Sequence, residues 1–455
     1  MNDLNFSQAT LATSSFGEFS RREDSFEVHF EATLEPRCVH LGSVGCKRTH
    51  GGYMETICRG GTSVNMKLRS TASKIATLGV ATSLLAGAVA GAAVAQGSGK
   101  KGDIDLHTPT ATIAHGGSSF VFPFVAYMTT GNGAGRYVNP SVTFGTDTAA
   151  GSGDGRNGVA SGTYNIGYSD YPMNVLAGSA PTGFTSQAQI NNTFVQVPVA
   201  LGGGVVGYHL PGLNNLKLSA QVIADIYNGS ITNWNDQDIK DLNKGVSLPD
   251  KAIKVCYRSA SSGTTYAFTN YLNVATRTSP AASGAAMEGS GKAWKATSNI
   301  IGEANNAAMA ADLADTDGSI GYLEYSYALA NPGKIQMAQL QGASGEWLKP
   351  TLVNMANAAT ASQKTLSTTQ FSIVYGAGKN VWPFATYVWA IVKKDQTATA
   401  AAGEASVKYL DYISHGGQLK AAANGYVPLP VAAQTYTRTQ LLQVKAGKTV
   451  LLSKK

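Results

Sequence analysis

The stretch "KAIKVCYRSASSGTTYAFTNYL" (residues 251–272) contains a strand-like run, a loop of small residues and the start of a helix in direct succession. The short run up to Arg258 is rich in apolar, β-favouring residues, as in a β-strand, and residues 264–273 carry apolar side chains at helical spacing. Similar strand-like and helix-like runs alternate along the whole chain. This alternation predicts an α/β fold whose sheets are mostly parallel.

Other segments extend the same pattern. Residues 219–229 have helical spacing and end on a glycine, which predicts a helix with a glycine stop. Residues 349–370 are rich in Ala, Thr, Ser and Asn, and we interpret them as a crossover or a loop. We predict further strands at residues 142–147, 164–170, 194–210, 318–329 and 384–394.

Glycines and small hydroxyl residues stand beside helix-like runs at residues 114–128, 149–162 and 258–272. The second of these predicts a glycine-rich loop with Ser152 at its centre. The first turn of a helix leaves backbone N–H groups unpaired and carries partial positive charge, so it suits an anion. Arg258 adds a planar fork of donors that fits phosphate or carboxylate. Because such turns also cap helices without any ligand, this pattern alone fits an anion site and a set of structural turns equally well.

Asp170, in "SDYP", is an acid close to these donors. It is either an ordinary turn aspartate or an acceptor for a ligand oxygen that still carries a proton. Phosphate is protonated near neutral pH and sulfate is not. The second interpretation therefore predicts selection of phosphate over sulfate, since sulfate would bring an acceptor against an acceptor.

The composition is typical of a globular protein and argues against a nucleic-acid-binding protein. With 455 residues, the chain is long enough for two or three domains, and 43% hydrophobic against 14% charged residues is typical of a globular protein. The formal charge is +7, but Lys and Arg are scattered. We therefore expect a mildly basic surface and no binding of nucleic acid.

Residues 66–95 have the pattern of an export signal. Lys67, Arg69 and Lys74 precede an uncharged run that ends in Ala93-Val94-Ala95, which favours a signal peptide cleaved near Ala95. The alternative is a transmembrane anchor at residues 75–95. After cleavage, we expect a periplasmic or secreted protein.

Residues 1–65 precede a complete signal peptide that has its own Met66. We interpret them as an untranslated or non-native extension that arises from a misplaced start codon. They contain three of the four cysteines, so the mature chain would keep only Cys256, with no internal disulfide and no cysteine metal site.

Residues 217–272 resemble the central region of the phosphate-binding proteins of bacterial ABC phosphate importers. The resemblance rests on "IYNGSITNWND", then "LNKGVSLP", then "RSASSGTTYAFTNYL". It extends to "GGSSFVFP", "GSGDG", "NIGYSDYPM", "GSIGYLEYSYA" and "VWPFATYVWAIVKKD", and so covers most of residues 110–430. "YRSASSGTT" also resembles the DING branch of phosphate-binding proteins.

The resemblance implies a two-domain periplasmic-binding-protein fold of the α/β class, with a hinge and the ligand in the interdomain cleft. Domain I would comprise residues 96–200 and 351–455, and domain II residues 201–350. The chain would cross to domain II near Val199–Gly204 and return near Lys349–Asn354.

The resemblance also assigns phosphate-binding residues at matching positions. These are Ser119 (hydroxyl and N–H), Phe120 (N–H), Ser152, Asp170, Arg258, Ser262, Gly263 and Thr264. One position departs from the family pattern, because Ala260 stands where the family usually has an acid that pairs with the arginine. Either the site carries a more positive field, or another carboxylate orients Arg258, for which Asp154 is the nearest candidate among the loops.

The function implied is that of an exported, high-affinity binding protein for inorganic phosphate. It would deliver its ligand as a monomer to an ABC permease in the inner membrane, with no metal, cofactor or catalytic residue. The alternatives are a secreted DING-type phosphatase and a phosphate-scavenging surface protein. Two features argue against the phosphatase: the sequence has no cluster among His107, His115, His209 and His415, and Ser152 and Ser262 have no nearby base in sequence.

Overall fold

The computed structural model describes residues 110–130, 137, 139–175, 178–276, 299–362 and 372–452, together with three short strands nearer the N-terminus. The chain divides into a unit at Met1–Gly79 and a unit at Val80–Lys455. In the first unit, β1 (Gly45–Arg48), β2 (Tyr53–Ile57) and β3 (Ser63–Lys67) form an antiparallel sheet in that order. The predicted signal peptide from residue 68 onward, with its cleavage point, lies outside the described residues.

The second unit alternates strands and helices along the chain, as the sequence predicted. Its strands are β4 Ala111–Ile113, β5 His115–Gly117, β6 Val142–Phe144, β7 Ile166–Ser169, β8 Phe194–Tyr208, β9 Lys217–Leu218, β10 Lys254–Arg258, β11 Ile300–Glu303, β12 Ser319–Glu324, β13 Gln336–Met337, β14 Gln339–Gln341, β15 Trp347–Leu348, β16 Ala385–Lys393, β17 Lys445–Ala446 and β18 Thr449–Val450. Its α-helices are α1 Phe122–Thr130, α2 Ser152–Ser161, α3 Gln187–Thr193, α4 Ala220–Asn228, α5 Gln237–Leu242, α6 Gly263–Thr276, α7 Asn306–Asp315, α8 Tyr325–Leu329, α9 Leu352–Ser362, α10 Ala400–Ser414 and α11 Val431–Leu441. Within the described ranges, none of these helices combines the length and apolar character needed to cross a membrane.

The largest sheet has the strand order β11-β10-β12-β8-β16-β7-β5, and β13 also pairs with β8. β8 is buried along all 15 of its residues. It pairs with β16 as far as Gly203, which lies opposite Ala385, and with β12 from Gly204, which lies opposite Glu324. Side chains are excluded at this changeover, since a Cβ on Gly204 would lie 2.2 Å from the Phe384 ring.

The sheet is mixed, so the prediction of mostly parallel sheets was wrong. β10 runs parallel to β11 and β12, and β5 runs parallel to β7. β8 is antiparallel to both β12 and β16, and β16 is antiparallel to β7. Hydrophobic patterning indicates which residues form strands, but strand direction depends on how distant segments pair, which the pattern does not encode.

Two hydrophobic cores flank the changeover in β8. One surrounds the second half of β8 and includes Phe268 and Tyr322, whose rings stack with centroids 4.3 Å apart. The other surrounds the first half and includes Phe124 and Tyr426, with ring centroids 5.5 Å apart. The first core includes residues of β10 and β12, and the second includes residues of β7.

Three local predictions need correction, and one is confirmed. Residues 149–162 are not simply a loop, because α2 begins at Ser152 and its glycines allow close packing: a Cβ on Gly155 would lie 2.3 Å from the Tyr168 carbonyl oxygen. Residues 318–329 form β12 followed by α8, and residues 349–370 include α9. The helix predicted at residues 219–229 is confirmed, since α4 is capped by Ser219 and ends at Gly229 in the left-handed conformation.

Candidate functional site

Three helices begin just after the carboxyl ends of strands of the main sheet, and a fourth, α2, begins after β6 of the small β4-β6 sheet. α1 follows β5, α2 starts at Ser152, α6 follows β10 and α7 follows β11. Two hydrogen bonds join these starts: the Gly263 N–H donates to Ser152 Oγ at 3.1 Å, and the Asn306 N–H donates to Ser119 Oγ at 3.1 Å. Helix starts present backbone donors and partial positive charge, so their convergence favours an anion.

Ser119, in the loop after β5, contacts residues at the ends of β10 and β11. Its Oγ accepts hydrogen bonds from Arg258 Nη1 at 3.3 Å and from Asn306 Nδ2 at 2.9 Å. Its carbonyl oxygen accepts one from the Tyr327 hydroxyl at 2.8 Å. Arg258 is only 1% exposed, so its permanent charge is held in a region of low dielectric, where it attracts an anion strongly.

Ser152 and Asp170 make a second group of hydrogen bonds in the site. Ser152 Oγ accepts from the backbone N–H of Asp170 at 3.1 Å as well as from Gly263. Asp170 Oδ1 accepts from the Ser118 hydroxyl, and Asp170 Oδ2 accepts from the Thr264 hydroxyl at 3.1 Å. A carboxylate has about four acceptor positions, so Asp170 keeps capacity for a further donor.

Burial raises the pKa of Asp170 to about 6, against the opposing effects of the Ser118 and Thr264 hydroxyls and the charges of Arg258 and Arg156. Arg156 is buried in α2 and donates to Ser169 Oγ at 3.1 Å. At neutral pH, Asp170 is therefore mainly ionised, and it can accept a hydrogen bond from a protonated ligand oxygen.

The two remaining predicted groups have partners within their own loops. The Phe120 N–H donates to Ser118 Oγ at 3.1 Å, and Ser262 Oγ accepts from the Thr265 N–H at 3.1 Å as a cap of α6. All eight predicted residues are buried, and the contacts above bring them together around one point.

The structure assigns Asp154 and Arg258 to different surroundings, so the suggestion that Asp154 orients Arg258 was wrong. Asp154 Oδ2 accepts a hydrogen bond from the Tyr164 hydroxyl at 2.9 Å. The residue opposite Arg258 is Glu303, in the parallel register of β10 with β11. These two residues are 45 positions apart in sequence, and strand pairing brings them together.

Sequence reasoning missed Ser118, Asn306 and Tyr327. Ser118 lies in the same Gly-Gly-Ser-Ser loop as Ser119, so its hydroxyl was visible but unassigned. Asn306 begins α7, and its fully buried side chain also donates to Thr264 Oγ1 at 3.3 Å and accepts from the Glu324 N–H at 3.0 Å. The pair Asn305-Asn306 before an apolar run was the available signal, since Asn305 caps the helix.

Residues 91–413 match the family model of the PBP superfamily domain. The chain belongs to the PBP superfamily. The PstS phosphate-binding protein of Pasteurella multocida is 32% identical over 329 residues, which are 71% of this chain and 88% of that protein. The PstS phosphate-binding protein of Xylella fastidiosa (strain 9a5c) is 30% identical over 328 residues, 71% of this chain and 83% of that protein.

The structure of the phosphate-binding protein of Stenotrophomonas maltophilia aligns with a TM-score of 0.53 and 16% identity, over 72% of this chain and 93% of that one. This likeness concerns the fold alone. With the superfamily match, it confirms the predicted fold class of this PBP-superfamily member, an α/β two-domain periplasmic-binding-protein fold. The resemblance recognised in the sequence is confirmed by the PstS relatives.

Proposed function

We propose that this PBP-superfamily member binds inorganic phosphate and delivers it to an ABC-type phosphate importer. The observation that carries the proposal is the buried cluster in which Arg258, Asp170 and the starts of four helices meet. PstS phosphate-binding proteins are relatives at about 30% identity over most of their length, which supports the same ligand.

Phosphate would bind through donors from both sides of the cluster. Arg258 supplies the charge and a fork of N–H donors, and Ser119, Phe120, Ser152, Ser262, Gly263 and Thr264 supply hydroxyl and backbone N–H groups. Asp170 accepts the hydrogen bond of a protonated phosphate oxygen. Sulfate lacks that proton, so one of its oxygens would lie against the Asp170 carboxylate with no hydrogen bond between them.

The hinge would lie at the changeover in β8. We assign domain I to residues 96–200 and 351–455 and domain II to residues 201–350. The change of partner strand from β16 to β12 between Gly203 and Gly204 supports the first crossing. For the return near Lys349–Asn354, the support is the Asn354 side chain, which donates to the Lys349 carbonyl at 3.0 Å and so holds that connection together.

The protein would act outside the cytoplasmic membrane. We assign residues 66–95 to a signal peptide cleaved near Ala95 and regard residues 1–65 as absent from the mature chain, which would meet its permease as a monomer. N-terminal sequencing of the exported protein tests this assignment. The expected first residue is Gln96 or a near neighbour, and peptides from residues 1–65 in the exported protein would contradict it.

A phosphatase is the competing function, and the histidines give it no support. In the described part of the chain, no group of three or more His, Cys, Asp or Glu side chains is placed to hold a metal ion. His115, His209 and His415 instead contact backbone carbonyl oxygens at 3.0, 2.6 and 2.7 Å, those of Gly145, Lys334 and Asp411. The PstS relatives are named as binding proteins.

Calorimetric titration of the exported protein tests the proposed function. We expect phosphate to bind with a dissociation constant at or below about 1 µM and sulfate to bind far more weakly. Incubation with a phosphate monoester in the same buffer should release no phosphate. Equal affinity for both anions, or no phosphate binding at all, would reject the proposal.

A further inference from the structure

Arg258 and Glu303 lie directly opposite each other at the ends of the parallel strands β10 and β11. Paired residues of neighbouring strands project from the same face of a sheet, so the guanidinium and the carboxylate leave the sheet on the same side. Both are buried, with Arg258 1% and Glu303 5% exposed. Two opposite charges therefore share one poorly solvated space.

The remaining contacts of Arg258 leave one of its donors for a carboxylate. Nη1 donates to Ser119 Oγ at 3.3 Å, and Nη2 donates to the carbonyl oxygen of Ala304, the residue after Glu303, at 2.8 Å. Arg258 Nε and Glu303 Oε1 are both buried without a hydrogen-bond partner. A buried donor and a buried acceptor of opposite charge are each costly alone and compensate each other when they pair.

Asp312 holds Glu303 from its other side. It lies on α7, and its carboxyl group neighbours that of Glu303. Burial, followed by this neighbouring carboxyl group, raises the pKa of Glu303 to about 7, while the charge of Arg258 opposes the rise. Glu303 thus lies beside α7, the helix whose first residue, Asn306, belongs to the site.

We propose that Glu303 is the positioning residue for Arg258, in the role that the acid two residues after the arginine has in related phosphate-binding proteins. Ala260 stands in place of that acid. The positive charge of Arg258 is still balanced, because Glu303 on β11 supplies a carboxylate. This inference rests on the proposed phosphate function. Glu303 acts through Arg258 from the neighbouring strand, so it limits the net positive charge of the site and offers the Nε–H of Arg258 an acceptor that would fix the plane of the guanidinium.

The test compares phosphate affinity at two ionic strengths, about 0.01 M and about 0.15 M, between which the Debye length shortens from about 30 to about 8 Å. The exported protein, Glu303→Gln, Ala260→Asp and the double variant are titrated with inorganic phosphate at a pH above the raised pKa of Glu303, so that its carboxylate carries its charge. Glu404→Gln is the matched control, because it removes one negative charge from a pair with Lys408 on α10. In the parent and the control, we expect the dissociation constant to change less than about twofold, since Arg258 is balanced.

Glu303→Gln should make the affinity about fivefold or more weaker at the higher salt, because an unbalanced charge is screened. Adding Ala260→Asp to Glu303→Gln should restore the salt response of the parent, which a merely structural role of Glu303 would not allow. Ala260→Asp alone should leave the salt response unchanged. A flattened response in Ala260→Asp, an unchanged one in Glu303→Gln, or no restoration in the double variant would each overturn the inference.

A second measurement needs no phosphate, so it separates failure of this inference from failure of the proposed function. The Arg258 Nε–H proton is followed by nuclear magnetic resonance in the phosphate-free protein. We expect a downfield resonance that moves upfield in Glu303→Gln and stays in place in Glu404→Gln. If the chemical shift of the Nε–H proton is the same in Glu303→Gln as in the parent, the positioning role is wrong, even if phosphate binds. If the parent does not bind phosphate, only the proposed function is rejected.

Discussion

The two sides of the candidate site use different chemistry. The first side, residues 118–170, contributes hydroxyl groups and the buried carboxylate of Asp170, and the second side, residues 258–306, contributes the Arg258 guanidinium and the start of α6. In the structure they bind each other directly, through Ser119 to Arg258, Ser152 to Gly263 and Asp170 to Thr264.

Because of this difference, one side of the site attracts anions and the other selects among them. The second side alone would attract any small anion, because a guanidinium and a helix start respond to charge. The first side alone would repel anions through Asp170. Together they would favour an anion that carries both charge and a proton, and this requires that the two sides approach closely.

The largest expected effect comes from keeping the two sides apart. A Cβ on Gly263 would lie 2.5 Å from Ser152 Oγ and 2.7 Å from Asp170 Cβ, so Gly263→Ala should prevent their contact. We expect phosphate affinity to fall about 100-fold or more, since a displacement near 1 Å has that cost in a preorganised site. Gly145→Ala is the matched control, because its Cβ would meet its nearest atom at an ordinary 3.6 Å. Unchanged affinity in Gly263→Ala by calorimetry would mean that the contact does not matter.

Asp170→Asn tests discrimination on the first side. We expect phosphate to bind about 10- to 100-fold more weakly, because a charged hydrogen bond is lost. Sulfate should bind more tightly than it does to the parent, since the amide can donate to it. Asp154→Asn serves as the control and should alter neither affinity, because Asp154 contacts Tyr164. If Asp170→Asn excludes sulfate as strongly as the parent, Asp170 is not the proton acceptor.

A smaller effect is expected from an aromatic contact between the sides. Tyr171, next to Asp170, packs on Tyr266 of α6 with ring centroids 3.6 Å apart. Removing the ring in Tyr171→Ala should weaken phosphate binding about two- to tenfold, the usual range for an aromatic pair. Tyr171→Phe keeps the ring and should bind as the parent does. Equal losses in both variants would assign the effect to the hydroxyl rather than to the ring contact.

The smallest effect concerns stability and the buried carboxyl of Glu324, whose backbone N–H donates to Asn306 of the second side. Burial raises the pKa of Glu324 from 4.5 to about 8, and its Oε2 accepts from the Ser326 N–H at 2.9 Å. The folded state therefore holds this proton more tightly than the unfolded state does. The stability it contributes is fully present below pH 4.5 and is lost as the pH rises through about 8.

Denaturant unfolding of the phosphate-free protein measures this loss. Burial also raises the pKa of Asp147, Asp170 and Glu303, so the variant Glu324→Gln is needed to isolate the part that Glu324 contributes. Between pH 7 and 8, the free energy of unfolding should fall more steeply in the parent than in Glu324→Gln, in which only the other raised carboxyls still lose protons. The same slope in both proteins would contradict the raised pKa.

Local patterns carried the prediction of this site a long way. The eight assigned residues stand in short motifs next to strand or helix ends. The structure brings these motifs together because β5 and β7 run toward the changeover in β8 from one side, and β10 and β11 run toward it from the other. Asn306 and Glu303 escaped detection, because each contacts the site only through the pairing of β10 with β11 and the start of α7.

The sequence by itself determined several of the strands and helices, among them β8, α4 and α6, because periodicity and capping are properties of neighbouring residues. It also determined the chemistry of the site, through Arg258, Asp170 and the small hydroxyl residues. Only the tertiary structure decided the mixed direction of the sheet, the helical state of the glycine-rich stretch at Ser152 and the carboxylate that faces Arg258. Those features depend on contacts between residues far apart in the chain, where close packing and the burial of charge outweigh local preference.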